Sequence, residues 1–404
     1  MTGTHGKSTT AGWLVDLLVR AALDPLAFVG ALLPARLLGG PPSTARTGRG
    51  PVAVVEADEY AGNFDPFLPD VAVVTNVEWD HPDVFADRTA AVEAIEAWLR
   101  RAGEGRQATA VVDVADPGGA ELADRLRGLV RPARRRRARG TGGRRRSGRP
   151  RRAATGPRSP VRDRPRRRDG GHWGRHVGLG GRDGAPRRRR RGSGEPGPAR
   201  RLRVGLVGRH NAANGLLVAA AGAVLGLPWA STAASLETFE GVGRRLERLG
   251  EAAGVTVYDD YAHHPTAIRA TLAAVRQLEP GRPVWAVYEP LTYHRTAAML
   301  DAFAAVLAEA DAVAVADIWP GRDPDRTIAS AAGLAARVAA VAPARTVGAP
   351  GSVEATAAWL AERVRPGDVV LVMGGGRSYR IGRLLLAALG GRPSSERESS
   401  RPAR

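Results

Sequence analysis

Gly3-Thr4-His5-Gly6-Lys7-Ser8-Thr9 is the stretch whose reading decides the fold. Glycines let backbone N–H groups close around a phosphate, a lysine reaches the β and γ phosphates, and a hydroxyl ligates Mg²⁺. Gly3, Thr4, His5, Gly6, Lys7, Ser8 and Thr9 are therefore candidate nucleotide-binding residues, with Lys7 on the phosphates and Ser8 on the metal. The match to the phosphate-loop pattern is incomplete. Met1 stands where its first glycine belongs, and no strand precedes the loop, although such loops normally leave a buried one. The competing reading is a terminal segment that is merely rich in Gly and Thr. Against it, Lys7 is the one lysine in a chain whose 60 basic residues are otherwise arginine. A retained ammonium suits a site that needs a compact point charge.

Outward from the loop the chain alternates. An apolar-periodic helix is expected from about Ser8 to Arg20, strands at Val52–Val55 and Val71–Thr75, a helix near Ala91–Ala102 and a strand at Ala108–Val114. Near-continuous apolar strands separated by helices indicate a parallel sheet covered on both faces, an α/β fold. The rhythm returns after residue 202, with a strand-like Leu202–Val207, a helix over Asn211–Leu225, and strands at Val255–Tyr258, Val284–Tyr288, Ala312–Ala316 and Val369–Met373. Helices at Thr266–Gln277, Ala297–Glu309 and Val353–Arg363 fill the gaps.

Two strands end in chemistry. Val54-Val55-Glu56-Ala57-Asp58-Glu59 closes an apolar run with three carboxylates, where a Mg²⁺ ligand beside a phosphate loop belongs. Val73-Val74-Thr75-Asn76-Val77-Glu78-Trp79-Asp80-His81 delivers Asn76, Asp80 and His81 to the same sheet edge, where ligands of open α/β sheets collect. Further on, Asp259-Asp260-Tyr261-Ala262-His263-His264-Pro265-Thr266 projects a carboxylate, a phenol and an imidazole from one strand-to-helix turn, with Pro265 fitted to open the helix.

The net charge of +19 belongs to one segment. Residues 131–200 hold 26 of the 60 basic and 4 of the 41 acidic residues, a net of +22, whereas the remainder nets −3. This stretch, rich in Arg, Gly and Pro, lacks apolar periodicity and reads as disordered, or as an out-of-frame translation between two folded halves. Clustered arginines would neutralise nucleic-acid phosphates, but Trp173 is the segment's sole aromatic for stacking, which argues against a nucleic-acid partner. There is no cysteine, which excludes disulfides and thiolate chemistry. The longest apolar stretch, Leu216 to Leu227, is shorter than the roughly 20 residues of a membrane span. With no signal-peptide pattern either, a cytoplasmic protein is expected.

The phosphate loop, the Glu56-Ala57-Asp58-Glu59 strand end and Thr75-Asn76…Asp80-His81 occur in the order and spacing of the Mur ligase central domain. Gly208-Arg209-His210-Asn211…Asn214, Gly241-Val242-Gly243-Arg244-Arg245 and the segment Asp259–Thr266 agree with later motifs, so the chain resembles the Mur ligase family outside 131–200 and the tail. The last segment favours the alanine-adding branch or a muropeptide-recycling relative. The resemblance implies an ATP-binding central domain over residues 1–243, a smaller Rossmann-like C-terminal domain over 244–390 and a disordered tail over 391–404, without the family's N-terminal UDP-binding domain. It implies ATP and Mg²⁺ as cofactors and UDP-N-acetylmuramate and L-alanine as substrates of an amide ligation in peptidoglycan-precursor synthesis. Lys7, Asp260, His263 and Arg295 would be catalytic; Ser8, Glu56 and His81 would hold the metal; Asn211, Asn214, Arg245, Asp260 and Tyr261 would contact the nucleotide. One departure touches the substrate side. Leu291 and Thr292 replace a His and an Arg in the family's segment, here Glu289-Pro290-Leu291-Thr292-Tyr293-His294-Arg295-Thr296. The other readings are a nucleotide-binding relic without ligase activity and a basic nucleic-acid-binding protein.

Overall fold

The computed structural model describes residues 1–127, 172–173, 177–178, 202–321 and 323–390. The expectations for most of 131–200 and for the tail fall outside these residues. Two α/β units, each a sheet between helical layers, make up the described chain.

In the N-terminal unit, helix α1 (Lys7–Arg20) leads into β1 (Leu26–Leu33), the short α2 (Ala35–Leu38), β2 (Ser43–Arg46) and β3 (Ala53–Val55). These strands are ordered β2-β1-β3, with β1 antiparallel to β2 and parallel to β3. After β4 (Val71–Val74) come α3 (Arg88–Gly103), β5 (Gln107–Val112) and α4 (Pro117–Arg127). β4 and β5 are parallel, and β5 also pairs with β6 (His172–Trp173) and β7 (Val177–Gly178). Two residues join the half-sheets. Met1 N donates to Val55 O at 2.8 Å and Met1 O accepts from Ala57 N at 2.7 Å, while Thr2 N donates to Val73 O at 2.9 Å and Thr2 O accepts from Thr75 N at 3.0 Å. The expected strandless loop is thereby corrected: Met1 and Thr2 act as the buried strand that the loop leaves.

The period-2 alternation of β4 and β5 sorts their side chains between two cores. Val73 and Val111 pack under α1, α5 (Arg209–Val224) and α6 (Trp229–Thr238) beside Trp13, Leu17, Leu217 and Leu236. Ala72, Val74, Ala110 and Val112 pack on the opposite face with Ile95, Trp98, Leu122 and Leu126 of α3 and α4. Each such large apolar side chain stabilises by about 1.5–3 kcal/mol relative to exposure. α1 also buries Asp16 completely, which is possible because Arg20, Arg36 and Ser235 all bond its carboxylate at 2.6–2.7 Å.

The C-terminal unit is built on six strands: β8 (Glu247–Ala252), β9 (Val255–Asp260), β10 (Val284–Glu289), β11 (Ala312–Ala316), β12 (Thr346–Gly351) and β13 (Val369–Gly374). Their order is β12-β11-β10-β13-β9-β8, all parallel except β8 against β9. Every residue of β9, β10, β11 and β13 is buried, as both faces are covered. α7 (Pro265–Leu278), α9 (Leu300–Leu307) and α10 (Ala331–Val341) cover one face. α11 (Val353–Ala361) and α12 (Tyr379–Ala388) cover the other.

Two expectations fail. Leu202–Val207 is not a strand: Gly205 passes so close to Glu237 O that a Cβ would lie 2.2 Å from it, and Gly205 N bonds Leu236 O instead of a ladder partner. The helix placed at Ala297–Glu309 is broken at Met299 (φ −118°, ψ 22°), giving α8 (Tyr293–Ala298) and α9.

Candidate active site

From Thr2 the chain turns at Gly3, whose φ of 118° and tight packing exclude a side chain: a Cβ would meet Thr75 Oγ1 at 2.5 Å and Asn76 O at 2.6 Å. The end of β4 then buttresses the loop. His5 N donates to Asn76 Oδ1 (2.8 Å), Thr75 Oγ1 to His5 O (2.6 Å) and Thr4 N to Asn76 O (3.1 Å). Gly6, at φ 79°, caps α1 over the Asn214 amide, which would meet a Cβ at 2.6 Å. Asn214 Nδ2 donates to Asn211 Oδ1 (3.2 Å), and Asn211 Nδ2 to Val207 O (2.8 Å). The first turn of α1 thus presents free N–H groups to a cleft from a floor fixed by hydrogen bonds.

Carboxylates from the end of β3 face that turn. Glu56 accepts from Ser8 Oγ (3.1 Å) and from Gly30 N (2.6 Å). Lys7 Nζ bonds Glu59 at 2.9 Å and approaches Asp58 at 3.3 Å. Burial works against the Lys7 ammonium, but the charges of Glu59 and Asp58 outweigh it and hold Lys7 above the ordinary lysine range. His81, at φ 56°, groups with Asp58 and Glu59, their ligand atoms within 4.8 Å of one another.

The facing wall comes from the C-terminal unit. Arg245 donates to Ser8 Oγ at 3.0 Å, lies 5.3 Å over the Tyr261 ring, and keeps a buried Nε without a partner. Asp260 accepts from Leu246 N and Ala262 N, both at 2.7 Å, and burial raises its pKa. Arg244 bonds Asp259 at 3.0 Å, Ser378 Oγ at 2.8 Å and Gly374 O at 2.9 Å, tying the ends of β9 and β13. Burial pushes Asp259 up to about 6 despite Arg244, and its second oxygen has no partner. His263 Nδ1 lies 2.9 Å from Tyr261 O, and burial, then the nearby Arg295, holds the imidazole well below its ordinary pKa. Arg295 Nε donates to Asp80 Oδ1 at 2.7 Å with both side chains about 5 % exposed, and an Arg295 NH2 sits 3.3 Å from His81 Nδ1. Burial would raise Asp80, but Arg295 overrides it and the carboxyl lies far below its usual range.

These groups enclose one cleft of about 860 Å³ lined from both units, large enough for a nucleotide and a second substrate. Residues 244–376 match the Mur ligase, glutamate ligase domain family. A UDP-N-acetylmuramate–L-alanine ligase of Frankia casuarinae is 36% identical over 413 residues, covering 96% of this chain and 76% of that protein. The ligase of the same name from Mycolicibacterium smegmatis is 35% identical, covering 96% and 72%. The chain belongs to the Mur ligase family.

Among solved structures, the UDP-N-acetylmuramate–alanine ligase of Thermotoga maritima superposes on this Mur ligase with a TM-score of 0.64 at 19% identity, covering 99% of this chain and 75% of that one, a likeness of fold. Within the Mur ligase cleft stand Thr4, His5, Gly6, Lys7, Ser8, Thr9, Glu56, His81, Asn211, Asn214, Arg245, Asp260, Tyr261, His263 and Arg295, as the sequence reading groups them. Gly3 lies beneath as a backbone pivot. The expected metal set is divided: Ser8 contacts Glu56, whereas His81 groups with Asp58 and Glu59 and touches Arg295. Sequence reasoning gave no role to Glu78, Arg244 or His264, and took Asp58 and Glu59 only as members of the acidic strand end beside Glu56. Nothing in one dimension joins Asp80 to Arg295, 215 residues apart.

Proposed function

We propose that this ligase joins L-alanine to the carboxylate of UDP-N-acetylmuramate at the expense of ATP, a step of peptidoglycan-precursor synthesis. The γ-phosphoryl passes to the sugar carboxylate, the amine attacks the resulting acyl phosphate, and amide, ADP and phosphate result. The observation that carries this reading is the Arg245–Ser8 contact: the phosphate loop and the second unit meet where a phosphoryl group would be transferred. The α1 N-terminus and Lys7 receive the phosphates, and Arg245 adds a second cation from the opposite wall. Asn211 and Asn214 stand on the adenine side, and Asp260, Tyr261, His263 and Arg295 face the acceptor carboxylate and amine. Closure between the units excludes water from the acyl phosphate.

The Ser8 hydroxyl and Glu56 carboxylate, 3.1 Å apart and open to the cleft, are the hard oxygen donors that Mg²⁺ takes, with His81 at the far side of the same acidic cluster. Bound there, Mg²⁺ would neutralise phosphate charge. On the acceptor side Leu291 lines the cleft where the family carries a His, and the second reading is an L-alanyl peptide in place of L-alanine.

ADP release measured with each substrate omitted in turn tests the proposal. Sustained ADP release should require both UDP-N-acetylmuramate and L-alanine, with no more than a single turnover when L-alanine is omitted, and Lys7→Met should lower kcat at least about a hundredfold, as loss of a charge-stabilising donor does. ADP formation indifferent to the nucleotide sugar would overturn the reading, and turnover with L-alanyl peptide but not L-alanine would select the second one.

A further inference from the structure

His5, Glu78 and His264 meet on the side of the cleft away from Ser8 and Glu56, and nothing in the ligase reading uses them together. His5 comes from the phosphate loop, Glu78 from the segment after β4, and His264 from the start of α7 in the C-terminal unit. Their ligand atoms all lie within 4.8 Å of one another. His5 Nε2 is 3.3 Å from Glu78 Oε2, and His264 Nδ1 is 3.7 Å from the same oxygen. Donor atoms around a tetrahedral ion with bonds near 2.05 Å stand about 3.3 Å apart, so this spacing needs little adjustment to close on a metal.

The surrounding contacts orient the donors. His264 Nε2 lies 3.1 Å from Trp79 O, an acceptor only, so that nitrogen carries the proton and the lone pair is on Nδ1, which accepts from Thr266 N at 3.3 Å as the cap of α7 and would exchange that contact for an ion beside Glu78. Thr266 Oγ1 donates to Glu78 Oε2 at 2.7 Å and fixes the carboxylate. The imidazole rings of His5 and His264 are 4.7 Å apart and tilted by 44°. Ligand atoms with their own hydrogen-bonded partners are what a metal site requires of its surroundings. His264 is buried, while His5 and Glu78 line the cleft, which leaves the fourth position open to water or substrate.

We propose that His5, Glu78 and His264 form a site for a borderline divalent ion of the Zn²⁺ or Co²⁺ type, separate from the Mg²⁺ position and bridging the two units. Two imidazoles and one carboxylate select such ions over Mg²⁺. Since one ligand comes from the far side of the cleft, an ion held there fastens the closed arrangement and sets one side of the acceptor pocket. The proposal stands independently of which amino acid the ligase adds.

Co²⁺ titrated into the full chain, with Mg²⁺ held in large excess, gives the test. One equivalent should bind by equilibrium dialysis and produce visible d–d absorption. Glu78→Gln and His264→Ala should each abolish that equivalent, and Thr266→Val should weaken it about ten- to hundredfold. His81→Ala and Glu56→Gln should leave it in place, with circular dichroism confirming that every variant folds. Absence of a Co²⁺ equivalent under excess Mg²⁺, or one that disappears with His81→Ala while surviving Glu78→Gln, would overturn the site.

Discussion

Asp259 shows how one side chain can work against itself. One oxygen meets Arg244, and the other is buried with no partner, so desolvation wins and the pKa rises to about 6 from 3.8. A carboxyl with a raised folded-state pKa contributes stability that is fully present below the unfolded value and lost as pH rises through the folded one. A shift of this size corresponds to about 3 kcal/mol. Asp259→Asn keeps the shape and removes the titration. The unfolding free energy of the native chain, less that of the variant, should therefore fall by up to about 3 kcal/mol between pH 4 and pH 6.5. Urea titrations across that range decide it, and a difference that is flat or rises with pH would refute the assignment. At this scale the sequence was informative where a residue type is scarce or clustered, as with Lys7 or the Asp259–Thr266 turn. It was silent on Asp259 itself, because its cost comes from a burial that no local pattern declares.

The element with the greatest reach is the shortest. Met1 and Thr2 hold two half-sheets together through four backbone hydrogen bonds, and the phosphate loop starts from them. Thr2→Pro removes the donor to Val73 O in a fully buried position, so it should cost about 1–3 kcal/mol and weaken nucleotide binding with it. Thr2→Val keeps that backbone and deletes a buried hydroxyl that has no partner, so it should raise the melting temperature slightly. Calorimetry on the two variants compares them directly, and a Thr2→Pro protein as stable as the native one would show the seam to be idle. Elements with clean patterns were legible: β10, β11 and β13 are near-continuous apolar runs because both faces are covered, and β9 shares that burial although Thr256, Asp259 and Asp260 interrupt its apolar residues. β1 escaped because a short continuous apolar run following α1 cannot be told from a helix segment by periodicity, and Leu26, Phe28 and Leu32 stay exposed in the fold. β8, Glu-Arg-Leu-Gly-Glu-Ala, escaped because it is a polar edge strand recognised only by its partner β9.

Across the whole molecule, the two units are joined by polar contacts around the cleft: Arg245 to Ser8, Arg295 to Asp80, His264 to Trp79 and Thr266 to Glu78. The buried Asp80–Arg295 pair is the most costly to break singly, since either partner left alone is an unpaired charge, worth about 3–5 kcal/mol. Asp80→Asn with Arg295→Met should therefore cost less than the sum of the single changes, with a coupling of about 0.5–3 kcal/mol in a double-mutant cycle. Strict additivity would mean that the pair does not clamp the units. The two-unit α/β plan could be read from the chain because each unit folds from nearby segments. The clamp could not, because it exists only once residues 215 positions apart are brought face to face.

The single lysine has a further consequence, in the chemistry of labelling and cleavage. Reagents that acylate amines have one side-chain target in this protein, the phosphate-loop ammonium, 13 % exposed and clamped between two acids. The native chain should resist such reagents, and the rate at which Lys7 becomes modified measures how often the cleft opens. A lysine-specific protease likewise has one peptide bond to cut, between Lys7 and Ser8, inside the first turn of a helix. Amine reactivity, elsewhere an average over a whole surface, is here a readout of a single gate.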